Sequence, residues 1–383
     1  MGEISIDPKF NIHETYKKVR ILNPYRNSAV PASLPLIFTI NTNLGTGTSM
    51  EIPTYGSGYD YSVKWGDGVI TSGHTTDASH TYAAHGVYTL EITGSFPQFY
   101  FFSAAYSNKL ISIDNWGNIN YSTSQNRAFN GTINLASLSN DISWINAVTD
   151  ISVMFRTTGL TSLPELMTLD AATNGDFAFD QTPLNSLPSG MVLGNLTTAN
   201  TMFVNTNISY LPSGMNLSSL TNGSSMFYTL SITSLPNVML LDNLVNGYRM
   251  FSQTSLNYLP SGMTLPNLTT GTRMFRSTSI SSLPIGMNLS NLISGDLMFY
   301  GVPLTDLPSG MTLPNLTNGN LMFFGSTINT VRYSQLLIDM ESGNANTGVK
   351  FHGGNSKYNA SGETARNALV ARGWIFTDGG LAA

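Results

Sequence analysis

Cysteine is missing altogether from the 383 residues, which excludes a disulfide framework and any thiolate metal site. Charge is nearly as scarce. Charged residues make up 10% of the chain, where globular domains carry roughly a quarter. Lys and Arg number 17 and Asp and Glu 22, for a net charge of -5. No basic stripe is available to neutralise phosphates, so nucleic acid is not an expected partner. No apolar run approaches the roughly 18 residues that span a bilayer, and Met1 to Arg20 lacks the apolar stretch of a secretory signal. Reactive motifs are lacking too: there is no G-x-S-x-G, H-E-x-x-H or phosphate-binding loop. The acids of the regular region (Glu165, Asp170, Asp176, Asp180, Asp242, Asp296, Asp306) do not share one column, whereas a glycosidase needs two carboxylates facing one bond. The expectation is a non-enzymatic chain with no catalytic residue, no metal and no cofactor.

What is there is a period. Leu-Pro occurs at Leu163-Pro164, Leu187-Pro188, Leu211-Pro212, Leu235-Pro236, Leu259-Pro260, Leu283-Pro284 and Leu307-Pro308, always 24 residues apart. Met-Phe keeps the same step, from Met154-Phe155 through Met202-Phe203 to Met322-Phe323, with Ala178-Phe179 in one place. A constant step of this length marks a stacked repeat. A single 24-residue coil buries too few apolar side chains to offset the ordering of its backbone, so stability has to come from stacking. The Met, Phe and Leu positions are the expected core.

Polar columns run beside them. Thr161, Asn185, Ser209, Thr233, Asn257, Ser281, Thr305 and Asn329 are expected to form a hydrogen-bonded ladder or a polar stripe, since stacked strands lie about 4.8 Å apart. Glycines 190, 214, 262, 286 and 310 are expected at a repeated turn with positive φ. The many Asn-x-Ser/Thr triplets follow from composition alone. Other columns vary from coil to coil, which is where repeat proteins place recognition. One holds Arg156, Asp180, Val204, Tyr228, Ser252, Arg276, Tyr300 and Phe324; another holds Tyr210 and Tyr258. Tyr210, Tyr228, Tyr258, Arg276 and Tyr300 are therefore the candidate ligand-binding residues, suited to neutral sugars by stacking and hydrogen bonding. The alternative is that the tyrosines only cover surface.

Ahead of the repeats, residues 1–33 combine Pro8, Pro24 and Pro31 with a cluster of basic residues. They read as an extended arm whose docking residues would be Lys17, Lys18, Arg20, Tyr25 and Arg26, or else as a loose terminus. From Leu34, short alternating runs separated by glycines indicate strands. Trp65-Gly66-Asp67-Gly68, His80-Thr81-Tyr82 and Gly86-Val87-Tyr88-Thr89-Leu90 resemble, in order and spacing, the polycystic-kidney-disease-like (PKD-like) immunoglobulin-type domain, over residues 34–95. That resemblance implies a small β-sandwich acting as an extracellular spacer or binding module. His74, His80 and His85 are close in sequence, but the family resemblance makes the histidine of the His-x-Tyr block structural.

The Met-Phe…Leu-x-x-Leu pattern over residues 96–332 resembles BspA-type leucine-rich repeats of bacterial surfaces. It implies a solenoid with one short strand per coil, though Pro-Ser-Gly-Met stands where that family usually carries Asp and Asn. Residues 333–383 read as a cap: a helix over 333–340, a strand around 349–352, a helix over 361–372 capped by Ser361, and a final strand at 374–377. The expected fold class is mainly β: a PKD-like sandwich, a solenoid of 24-residue coils and a small α/β C-terminal cap. Extracellular-type domains without a visible signal peptide suggest a surface protein of a tailed-phage virion. Its arm would meet virion proteins, and its repeats a host cell surface or glycan. The alternative is a BspA-type adhesin on a bacterial cell surface. Self-association into a homo-oligomer stays open.

Overall fold

The computed structural model describes residues 34–102, 106–142 and 144–383. In chain order its first strands are β1 (Leu36–Asn41), β2 (Ser49–Ile52), β3 (Asp60–Lys64), β4 (Ile70–His74), β5 (Ala78–Thr81), β6 (Val87–Ser95), β7 (Leu110–Asn115) and β8 (Ser137–Leu138). Period-two alternation turns Leu36, Phe38 and Ile40 of β1, Tyr61 and Val63 of β3, and Leu90 and Ile92 of β6 into one core. Six strands form a mixed sheet in the order β4-β3-β6-β1-β7-β8, and β2 pairs with β5 in a second, two-stranded sheet. Only β7 and β8 run parallel within the larger sheet. It therefore continues past residue 95.

The three blocks singled out in sequence meet in space. Trp65 is fully buried and its ring stacks on His80 at 5.1 Å. His80 Nε2 lies 2.7 Å from Asp67 Oδ2, and the Tyr82 hydroxyl donates to the Trp65 carbonyl at 2.8 Å. Gly66 has φ of 85°, and a Cβ there would sit 2.6 Å from the Thr89 carbonyl. His74 and His85 bond elsewhere, to Thr71 Oγ1 and to the Thr42 carbonyl, each at 2.7 Å. Among the described residues no group of three His, Asp, Glu or Cys is placed to hold a metal ion.

Through the repeats, each coil lies on the next in register. Nine phenylalanines from Phe129 to Phe323 stack in eight consecutive pairs, with centroids 5.4–5.8 Å apart and planes within 14°. The backbone around each Met-Phe does two jobs at once. In one coil Gly247, Arg249, Phe251 and Gln253 donate their N–H groups to the carbonyls of Thr270, Thr272, Met274 and Arg276 in the next. The intervening N–H groups of Met250, Ser252 and Thr254 turn back to Gly247, Arg249 and Phe251, three residues earlier. With Tyr248 N donating to Asn246 Oδ1 at 3.1 Å, every backbone N–H of residues 247–254 is satisfied, half locally and half by the neighbouring coil.

That arrangement overturns the expected class. Among the described residues the fold is mixed, with 17% strand and 9% helix, and the strand-bearing solenoid of the expectation is not found. From Ser124 to Asn318 successive coils share isolated parallel bridges instead of strand pairs. The backbone conformation shows why: Arg249 (φ 54°) and Gln253 (φ 59°), like their counterparts Ser225, Thr229, Arg273 and Ser277, are left-handed. An extended strand cannot contain such residues. The turn expected at Pro-x-x-Met does form, with Met191 N donating to the Pro188 carbonyl at 3.1 Å and the same bond in later coils. Of its five glycines, only Gly286 and Gly310 take positive φ.

The last coil carries β9 (Asn318–Gly319), and beyond it come α1 (Thr330–Gly343), β10 (Lys350–His352), α2 (Ala360–Ala371) and β11 (Ile375–Thr377). β10 pairs in parallel with β9 and β11, extending the last coil by a strand. Phe351 meets Phe323 edge-on (62°, 6.0 Å), which ends the parallel phenylalanine column. The cap of α2 is Asn359, whose side chain accepts from Gly362 N, not Ser361, which lies inside the helix. No helix among the described residues is long and apolar enough to cross a membrane.

Lys109 ties the two ends of the sheet region together. It is buried, and its Nζ donates to the carbonyls of Thr46 (2.9 Å), Gly47 (2.8 Å) and Ser49 (2.6 Å). Burial pushes its amine pKa down. Lys109→Met keeps the stem and leaves three carbonyls without their donor, so a loss of about 2 kcal/mol is expected in denaturant unfolding. An unchanged midpoint would show that water replaces the ammonium there.

Candidate binding face

Two polar ladders stiffen one side of the coils. Thr173, Thr197 and Thr221 each donate Oγ1 to the carbonyl of the residue 24 positions earlier, at 2.8–3.1 Å. Asn195, Asn243, Asn267, Asn291 and Asn315 each donate Nδ2 to a carbonyl 25 positions earlier, at 2.7–2.8 Å. Asn195-Leu196-Thr197, Asn267-Leu268-Thr269 and Asn315-Leu316-Thr317 therefore have a structural use that composition does not supply. The column expected to form such a ladder is joined at Thr161 to Asn185 and at Thr305 to Asn329 by backbone bonds.

A different side carries the variable residues. The column after Met-Phe begins with an ion pair, Arg156 Nε to Asp180 Oδ2 at 2.8 Å, with Asp180 buried. Further along, Arg276 lies over the Tyr300 ring at 5.4 Å, Tyr300 stacks on Phe324 at 4.6 Å and 9°, and Phe324 meets His352 at 5.6 Å. Tyr228 lies in the same column and is covered by Arg249, 5.7 Å from its centroid. Arg249 also lies 5.0 Å from the Tyr248 ring, and Arg273 Nη1 reaches the Tyr248 hydroxyl at 3.4 Å. Tyr228, Tyr248, Arg249, Arg273, Arg276 and Tyr300 are half-buried, and Phe324 is exposed.

Of the five expected site residues, then, Tyr228, Arg276 and Tyr300 share one column of this face. Tyr210 and Tyr258 do not join them. They stand eight residues after their Met, about half exposed, and make no ring contact or side-chain hydrogen bond among the described residues. No known protein family, curated protein or solved structure matches this chain. The face must therefore be read from its own chemistry.

Reasoning from sequence missed Tyr248, Arg249 and Arg273, which lie one and two residues before Met-Phe. A strand reading would have turned alternate side chains of that segment inward. The left-handed residues at 249 and 273 instead leave both arginines half exposed beside the column that follows. The expected docking residues Lys17, Lys18, Arg20, Tyr25 and Arg26 lie outside the described residues.

Proposed function

We propose that this chain is a non-enzymatic attachment protein of a tailed-phage virion, held through its N-terminal part and binding host-surface glycans through its stacked coils. The observation that carries the binding half is the gathering of tyrosine, phenylalanine and arginine on one column face of a frame that is otherwise Ser, Thr, Asn and Gly. Arg276 over Tyr300 and Tyr300 on Phe324 hold flat rings in fixed positions, and aromatic faces with adjacent hydrogen-bond donors suit sugar rings. The virion half rests on the resemblance of residues 34–95 to an extracellular module and on the basic residues of 1–33.

Two measurements test the halves separately. Mass spectrometry of purified particles is expected to find the chain; finding it only in a bacterial envelope would replace the virion reading with the surface-adhesin one. A glycan array probed with the full chain is expected to light up a restricted set of surface polysaccharides. A blank array would remove the attachment role.

A further inference from the structure

We infer that the strip formed by Tyr228, Arg249, Tyr248, Arg273, Arg276 and Tyr300 is a binding site for an acidic polysaccharide whose sugar rings carry carboxylates. The inference rests on the glycan reading above and replaces the neutral sugar suggested by sequence. Three observations carry it.

The first is uncompensated charge. Among the described residues Arg249, Arg273 and Arg276 form no salt bridge, whereas Arg156, Arg332, Arg366 and Arg372 each have a carboxylate within 4 Å. Asp296 is the only acid in the segments around Met-Phe between Ser224 and Phe324, and its Oδ1 accepts from Asn320 Nδ2 at 3.0 Å. In a chain of net charge -5, three arginines in neighbouring coils without a carboxylate partner among the described residues are conspicuous. The second is an unmet donor: Arg276 Nε is buried and has no hydrogen-bond partner. A buried donor of this kind costs stability unless something supplies an acceptor. The third is alternation. Tyr228, Arg249, Tyr248, Arg273, Arg276 and Tyr300 occupy four consecutive coils, at the 5.5–5.7 Å step of the phenylalanine column. Phenol and guanidinium groups follow one another along it, the order a chain of charged pyranoses presents. Arginine's planar fork matches a carboxylate, and tyrosine hydroxyls can hydrogen-bond the sugar hydroxyls beside it.

The test is titration calorimetry of the full chain with oligomers of galacturonate, glucuronate and mannuronate. Each is paired with its methyl ester, which keeps the ring and removes the charge, and inorganic polyphosphate supplies charge with no ring. At least one oligouronate is expected to bind about tenfold or more tighter than its ester and than polyphosphate, and more weakly as salt rises. Arg249→Gln with Arg273→Gln is expected to cost about tenfold or more in affinity with the melting temperature unchanged, whereas substitution of the exposed Ile285 outside the strip, Ile285→Ser, leaves binding intact. Ester bound as well as acid, or polyphosphate as well as uronate, overturns the inference. If neutral glycans on the array bind and these arginine variants bind them equally, the acidic site falls while the attachment role stands.

Discussion

Phe251→Ala is expected to lower stability by about 3–5 kcal/mol. The ring is fully buried in the middle of the column, stacked on Phe227 at 5.5 Å and on Phe275 at 5.7 Å, with planes within 9° of both. Removing it opens a gap in a column whose members hold each other in place. Collapse cannot fill it, because the backbone of each coil is pinned to the next by four hydrogen bonds around that residue. In a linear array, stability is close to a sum of coil and neighbour terms, so one weakened pair of interfaces should also split the unfolding transition. The measurement is denaturant unfolding followed by circular dichroism, beside Tyr258→Ser. Tyr258 is half exposed, and its loss should stay within about 0.5 kcal/mol. Equal effects for the two would mean that the phenylalanine column is not what joins the coils.

The 24-residue step was legible because identical side chains must recur wherever coils stack, and the core positions at Met154, Phe155, Leu160 and their successors are buried. The backbone of those coils was not legible. Val153, Phe177 and Arg249 are residues that a reader places in strands or helices, yet all three are left-handed, a state that L side chains adopt at a cost. Nothing in their identity signals it. Inter-coil hydrogen bonding imposes the conformation, and that is a long-range cause. The same cause hid the mixed class of the fold and the role of Asn195 and Thr197, whose donors are used only when the preceding coil is present.

The candidate face was half legible for a related reason. Tyr228, Arg276 and Tyr300 could be found by asking which column varies. Arg249 and Arg273 stand in a neighbouring column where Val153, Phe177 and Leu297 also occur, and a mixture of apolar and basic residues reads as partly buried core. Only the turn geometry places that column beside the variable one, and only the stack brings Tyr248 from one coil to Arg273 of the next.

Asp378→Ala is expected to cost about 3–5 kcal/mol. Its carboxylate is buried, accepts from Arg366 Nε of α2 at 2.8 Å and from the Tyr333 hydroxyl of α1 at 3.1 Å, and also from Gly380 N at 3.2 Å. One side chain thus joins both helices to the segment after β11. Removing it strands a guanidinium and a buried phenol together, and a buried charge without its partner is costlier than the pair is favourable. Burial, with the Asp378 charge beside it, holds the Tyr333 pKa well above the phenol range. The folded state therefore keeps a proton that the unfolded chain releases near pH 10, so this contribution is intact below about pH 10 and is lost as pH rises beyond it. Tyr333→Phe should flatten that alkaline slope and lose only about 1 kcal/mol at neutral pH. Because β10 bonds to the last coil, Asp378→Ala should loosen the end of the stack first, read as faster hydrogen exchange at Phe323 and Phe351 than at Phe227. Uniform exchange along all coils, or a loss below about 1 kcal/mol, would mean that the C-terminal segment rests on the stack without holding it.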